Sequence, residues 1–329
     1  MELSTTPLVA RGQRPFFTPF RIALAFLLLL LVAGPWVFYP VFLMKALCFA
    51  LFACAFNLLF GYAGLMSFGH AAFFGAGSYA AAWCVHALKL PPELALLIGT
   101  GAGALLGLLF GLLSIRLAGM SFAMVTLALA QMFYFICAQA PFTNGENGLV
   151  NSERGNLLGR FSLDSDTVSY VFVAIVFLAG FLLVVRVVHS PFGQILKAIR
   201  DNESRVRSLG YNVNRYKLIA FVLSSAIAAL AGSLKALVFG LATLADVHFG
   251  TSGEVVLMTL LGGIGTLFGP IVGALVTTSM WSYLAQFGAW VTFIQGSIFV
   301  ACVLMFRRGI VGELADINPL ARRQRKTSP

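Results

Sequence analysis

Residues 198–210 read Ala198-Ile199-Arg200-Asp201-Asn202-Glu203-Ser204-Arg205-Val206-Arg207-Ser208-Leu209-Gly210. The stretch is dense in charge and lies between two long apolar runs that are nearly free of it. Its local chemistry spells a short helix over 201–209. Asp201 or Asn202 caps the N-terminus by accepting from free backbone N–H groups. Glu203 complements the positive end of the helix dipole. Gly210 supplies the left-handed residue that stops the helix. Val206 and Leu209, three apart, share one face. A merely solvated loop needs no such caps, and a capped helix with a small apolar face suits a groove on another protein.

The surroundings decide where that helix sits. The 329 residues are 59% hydrophobic and 10% charged, whereas soluble domains carry about 25% charged residues. With a mean hydropathy of +0.91 the chain belongs in a lipid bilayer. The net charge of +10 is concentrated between apolar runs, which is the pattern of cytoplasmic loops and not the basic patch of a nucleic-acid binder. Cys48, Cys54, Cys84, Cys137 and Cys302 all lie in apolar runs without a C-x-x-C pair, so they read as small buried hydrophobes. His70, His86, His189 and His248 show no i, i+4 spacing. No metal site and no catalytic constellation is expected.

Apolar segments run over 22–40, 41–60, 66–85, 94–114, 120–139, 169–188, 217–240, 255–265, 268–285 and 289–306. A helical crossing needs about 20 residues, so 255–265 reads as a half-helix or part of a re-entrant hairpin. The expected fold is all-α and polytopic, with roughly eight to ten spans. Arg11, Arg14 and Arg21 put the N-terminus inside. No A-x-A site follows the first apolar run, which argues against a cleaved signal peptide. Alternating crossings then put Arg116 inside and loop 140–168, with Glu146, Glu153, Asp164 and Asp166, outside. The basic loop 186–217 and the tail with Arg307, Arg308, Arg322, Arg323, Arg325 and Lys326 fall inside; Asp246 and Glu254 fall outside. On this scheme no Asp or Glu lies within a span.

Two glycine-rich interruptions, Gly61–His70 and Gly262–Pro270, share a Phe-Gly step. Paired interruptions point to an internal repeat and a central pathway; close packing of helices on glycine is the plainer reading. Candidate path residues are Asn57, Ser67, His70, Ser78 and Tyr79 around the first break, with Thr259 and Thr266 at the second. Thr277 and Thr278 extend that second set. Lys45 and Lys235 sit near the outer ends of their spans, where snorkelling is the default and contact with a substrate carboxylate the alternative.

The run Ala198–Glu203 continuing through Leu209-Gly210-Tyr211-Asn212-Val213-Asn214-Arg215-Tyr216-Lys217 resembles the coupling loop of bacterial branched-chain amino acid ABC permeases, the LivH/LivM family. Asn57–Gly64, Ser67–Gly75, Gly253–Met258 and Gly262–Pro270 are similar to the same family, and the form of the 210–217 segment resembles the M-type subunit. The resemblance implies a transmembrane permease domain over 22–306, with a cytoplasmic coupling loop at 189–216 and a periplasmic loop at 140–168. Cytoplasmic tails at 1–21 and 307–329 flank it. It implies location in the bacterial inner membrane, a second, H-type permease subunit, two cytoplasmic ATPases and a periplasmic substrate-binding protein. ATP and Mg would be used by those partners. Arg200, Asp201, Glu203, Arg205, Arg207, Leu209 and Gly210 would couple to the ATPase. The family's external Thr-Gly-Gly turn reads Thr143-Asn144-Gly145 here, and Asn144, Glu146 and Asn147 are candidates for docking the binding protein.

What the sequence lacks agrees with this. No G-x-x-x-x-G-K-[ST] is present to cradle ATP phosphates, and proton-coupled carriers need intramembrane carboxylates. The expected function is therefore a non-enzymatic importer subunit for branched-chain or related neutral amino acids, working by alternating access. Urea or a short amide is the alternative cargo, and an autonomous secondary carrier the alternative class.

Overall fold

A computed structural model describes residues 17–150, 156–157, 161–162, 165–284, 286, 290–305 and 309–317. Each of the ten apolar runs becomes a helix. They are α1 (Phe17–Val37), α2 (Pro40–Asn57), α3 (His70–Leu88), α4 (Pro92–Ser114), α5 (Met120–Gln139), α6 (Asp166–His189), α9 (Val213–Phe239), α10 (Phe249–Gly262), α11 (Gly269–Leu284) and α12 (Val291–Met305). Between α6 and α9 lie two short helices, α7 (Pro191–Asp201) and α8 (Glu203–Ser208), and α13 (Ile310–Ile317) follows α12. Among the described residues, six helices are long and apolar enough to cross a membrane: α2 with its extension to Tyr62, α3, α4, α5, α6 and α9. The protein is an all-α, multi-pass membrane protein. Arg11 and Arg14 and the basic residues of the expected C-terminal tail lie outside the described residues, as do Glu153, Arg154, Arg160 and Asp164, whereas Arg21 lies within α1.

Helices α2 and α9 form the centre. From Leu43 to Asn57 nearly every residue of α2 is buried, because it is covered by α6, α9 and α11 at once. The abundant phenylalanines fill the space between helices. Phe52 and Phe74 approach to 4.7 Å, and Phe73 meets Phe221 edge-on at 5.4 Å. Such tilted and edge-to-face pairs are the favoured aromatic geometries.

Small residues let α4 lie against α9. Gly99, Gly103, Gly107 and Gly111 recur every four residues on one face of α4. They meet Ser233, Ala229, Ser225 and Leu218 in descending order, so the two helices are antiparallel. A Cβ at Gly107 would come within 1.8 Å of Ser225 Oγ, and one at Gly103 within 2.0 Å of Ala229 Cβ. Without a hydrophobic drive between helices in lipid, such close approach is what holds them together.

The two central helices carry matching attachments. After α2 the chain passes through a π-helical turn at Leu58–Tyr62 and an irregular stretch before α3 begins. α3 then runs in the same sense as α9, with His70 beside Ser224 and Gly77 beside Ser233. After α9 the chain passes through an irregular stretch, 240–248, before α10 begins and packs on α2. α4 packs antiparallel on α9, as α11 does on α2, with Thr266 beside Asn57 and Trp281 beside Phe49. The two half-turns meet where Ala71 N–H, in the first turn of α3, donates to Ser252 Oγ on α10 at 2.9 Å. This is an inverted repeat of helix, break, helix, helix.

The repeat corrects the pairing expected from glycine content. The counterpart of the break at Gly61–His70 is 240–248. The stretch Gly262–Pro270 is a tight helix–turn–helix corner, equivalent to the turn at 88–92 between α3 and α4, and each corner leads into a proline at the start of the next helix.

Candidate functional site

The quoted stretch folds as two helices. Ser190 caps α7, its Oγ accepting from Gly193 N–H at 3.3 Å, and Pro191 occupies the first helical position. α7 turns Gly193, Leu196 and Ile199 inward. Asp201 ends α7 and does not cap α8. The cap is Asn202, whose Oδ1 accepts from Arg205 N–H at 3.0 Å. Gly210 has φ 86°, the left-handed conformation that glycine adopts without steric cost. The helix boundary expected at 201–209 is thus 203–208.

The expected shared face of Val206 and Leu209 does not form. Val206 is buried in a cluster with Ile199 and Val213, beneath Tyr216, whereas Leu209 is 70% exposed. α8 ends at Ser208, and Leu209 is its C-cap, already outside helical geometry. The apolar outer surface is instead Leu209 with Tyr211, beside the exposed Arg205. Glu203 is committed within the protein, pairing with Arg207 at 2.9 Å and with the buried Lys217 at 2.6 Å. It pins α8 onto α9.

Arg200 points the other way. Its guanidinium donates to the Gly61 carbonyl at 2.6 Å, and through Nε and a terminal nitrogen to Asp201 Oδ1, each at 3.2 Å. It lies against Gly64 and Gly265, where a Cβ would sit 2.8 Å and 3.4 Å from it. Gly64 also has φ 72°. One helical turn away, the Asn57 amide clamps the corner between α10 and α11. Nδ2 donates to the Thr266 carbonyl at 2.8 Å, and Oδ1 accepts from Gly265 N–H at 2.9 Å. A continuous line therefore runs from α7 through Arg200 to the break after α2, and through Asn57 to the corner before α11. A carbonyl freed by a π-turn and a corner amide both find side-chain partners there, as buried backbone groups must.

Most of the other path candidates are also bonded within the protein. Ser67 Oγ accepts from Gly69 N–H at 3.2 Å. His70 Nε2 lies 2.9 Å from Ser224 Oγ, and Phe56, Phe73 and Phe221 present their rings to it edge-on. Thr259 donates to the Val255 carbonyl and Thr266 to that of Gly263, the back-bonding common for hydroxyls on helices. Thr277 donates likewise to Gly273, while Tyr79 Oη and Thr278 Oγ1 are buried without a hydrogen-bond partner among the described residues. None of these residues lines the open recess of about 390 Å³ between α11 and α12, which is walled by apolar side chains such as Leu275, Met280 and Ile298.

Ser78 leads to a second polar centre, absent from the sequence reading. Asp246, expected on an outer loop, is buried. Lys235, expected to snorkel, pairs with it, and Ser78 Oγ and Thr243 N–H donate to its second oxygen at 3.3 Å and 3.2 Å. The break after α9 folds back toward Gly75 and carries Asp246 down with it. Glu254 likewise lies inside α10 and not ahead of a span. The signal available in the sequence was the eleven-residue spacing of Lys235 and Asp246 across Gly240.

The turn expected outside is well defined at Asn144, whose φ of 61° is left-handed. Asparagine is one of the few side chains that enter this region routinely. The Asn144 amide donates to the Gly148 carbonyl at 3.2 Å, so the departure from glycine leaves the turn intact. Asn147 is exposed, and the Glu146 side chain lies outside the described residues. Leu149–Val150 pairs antiparallel with Leu241–Ala242, joining this turn to the break that holds Asp246.

The protein is a multi-pass helical membrane body with two inverted broken helices and a bonded pair of helices at one end. The chain belongs to the family described as branched-chain amino acid transport system / permease component, whose profile matches residues 40–303. It is 27% identical over 281 residues to the high-affinity branched-chain amino acid transport system permease protein LivM of Salmonella typhimurium, covering 78% of this chain and 65% of that protein. LivM of Escherichia coli is similar at 27% over 278 residues, again 65% of its length, so the chain spans less than two thirds of these relatives. The autoinducer 2 import system permease protein LsrC of Klebsiella pneumoniae is 31% identical over 144 residues, 41% of each chain. No solved structure matches the chain.

Proposed function

We propose that the protein is the M-type permease subunit of an ATP-driven importer of branched-chain or related neutral amino acids in the bacterial inner membrane. The observation that carries this is the two-faced α7–α8 unit. Its outer surface offers Arg205, Leu209 and Tyr211 to a partner. Its inner surface is bonded by Arg200 to the break after α2. A push on the outer face reaches the membrane body without passing through a flexible loop.

In this reading the α7–α8 end faces the cytoplasm, where ATPase subunits use ATP and Mg. Closure of those subunits moves α7, Arg200 moves the break after α2, and Asn57 moves the corner before α11 in step. The chain itself performs no hydrolysis. A second, H-type permease subunit completes the path, and a periplasmic binding protein delivers cargo to the surface at Asn144, Glu146 and Asn147. The amino-acid cargo rests on the LivM relatives, whose similarity spans far more of this chain than that of LsrC.

The test is uptake of radiolabelled leucine, isoleucine or valine by proteoliposomes containing this chain, its candidate partner permease and ATPases, and the binding protein. Uptake that needs ATP and every component is the expected result. Uptake by the chain alone would identify an autonomous carrier instead.

A further inference from the structure

The pair of Lys235 and Asp246 stands outside the line from α7 to the corner before α11, at the far end of α9 from α7 and α8. It joins three elements. Lys235 lies near the end of α9, Asp246 in the break that follows, and Ser78 on α3 donates to the same carboxylate at 3.3 Å. Within the break, Thr243 N–H donates to it at 3.2 Å. The break carries this hold on to the next helix. Thr251 Oγ1, in the first turn of α10, donates to the Ala245 carbonyl at 2.8 Å, and the adjacent Ser252 accepts from Ala71 N–H of α3. Val247 packs so closely on α3 that it leaves no room for a Cβ at Gly75. Val247 also belongs to a buried cluster with Tyr79, Cys137, Leu149 and Ala242.

The side chains of Lys235 and Asp246 are only 15% and 6% exposed, so the pair is nearly dry. Attraction between opposite charges is strong in such a seam and weak once water enters. Parting a buried pair leaves each charge uncompensated unless water reaches it. Such a pair resists small displacements and releases on wetting, which gives the packed seam two discrete states. We propose that Lys235 and Asp246 form a latch that holds the break at 240–248 and the start of α10 shut against α3. The latch parts when this end of the molecule opens. In the inverted repeat it is the counterpart of Arg200, which grips the break after α2. That the opening admits cargo rests on the importer reading above; that the pair holds the break shut does not.

The experiment uses the full-length protein in lipid nanodiscs, without partner subunits, and takes Cys137 as a built-in reporter because it is buried in the cluster that the break closes. Labelling of each cysteine by N-ethylmaleimide is followed over time by mass spectrometry. Asp246→Asn keeps the size of the side chain and an acceptor for Ser78 and Thr243 but removes the attraction. Lys235→Met with Asp246→Leu removes both charges. Each variant should speed labelling of Cys137 by about tenfold or more, within the range that residues in contact contribute to one another. Cys54, buried on α2 near the other break, should keep its wild-type rate. Unchanged labelling of Cys137 in both variants would overturn the latch. Equal acceleration at Cys54 would also overturn it, by showing a general loosening. In the assembled transporter, a non-hydrolysable ATP analogue should raise Cys137 labelling of the wild type; no rise where uptake occurs would show that the latch does not part in transport. If labelling of the isolated chain responds as stated and no ATP-dependent uptake of any cargo is found, the latch stands and the importer reading falls.

Discussion

At the scale of single residues, position on α8 decides what a charge does. Arg205 is exposed and Arg207 is paired with Glu203, so Arg205→Glu changes the outer surface alone, whereas Arg207→Glu also sets two acids against each other. Arg205→Glu and Leu209→Asp should both reduce co-purification of ATPase subunits while the detergent-extracted protein keeps its melting temperature. Val206→Asp, by contrast, puts a charge into the Ile199–Val213 cluster and should lower the melting temperature. The buried pair gives a second test. Lys235→Met strands the Asp246 carboxylate, and breaking such a pair costs about 3–5 kcal/mol. Lys235→Met with Asp246→Leu removes both charges and should recover most of that loss in thermal unfolding. The caps at Asn202 and Gly210 were legible in the sequence because their partners lie within a few residues. The partner of Arg200 was not, since Gly61 is 139 positions away, and the family resemblance assigned Arg200 to the ATPase-coupling set.

Among elements, the seam between α4 and α9 is the most exacting. Gly107 leaves no room for a side chain, but Gly101, six residues earlier on another face, has nothing among the described residues within 4 Å of where a Cβ would sit. Gly107→Leu should force the helices apart, lowering the melting temperature and the yield of monodisperse protein, because overpacking costs about 1–3 kcal/mol even where the core can adjust. Gly101→Leu should leave both unchanged. The apolar length of each helix was readable from composition, so all ten runs were found. The four-residue glycine spacing was present too, but only the structure identifies Ser225, Ala229 and Ser233 as the surface it meets. The second break escaped because 240–248 contains a single helix-stopping glycine, Gly240, followed by residues that also suit a span's end.

For the molecule as a whole, the inverted repeat places the decisive bonds between distant parts of the chain. The hydroxyl of Ser252 serves an N–H of α3 that has no partner of its own, a need shared by the first four N–H groups of any helix. Ser252→Ala should therefore reduce the fraction of protein that withstands mild heating more than Thr259→Ala, which removes only a bond back to its own helix at Val255. This contact also has a consequence for biosynthesis. As the chain emerges from the ribosome, α3 enters the bilayer with that N–H unsatisfied, and it stays so while 181 further residues are made. The nascent protein then passes through a stage in which its first half is made but this bond stays open until α10 arrives.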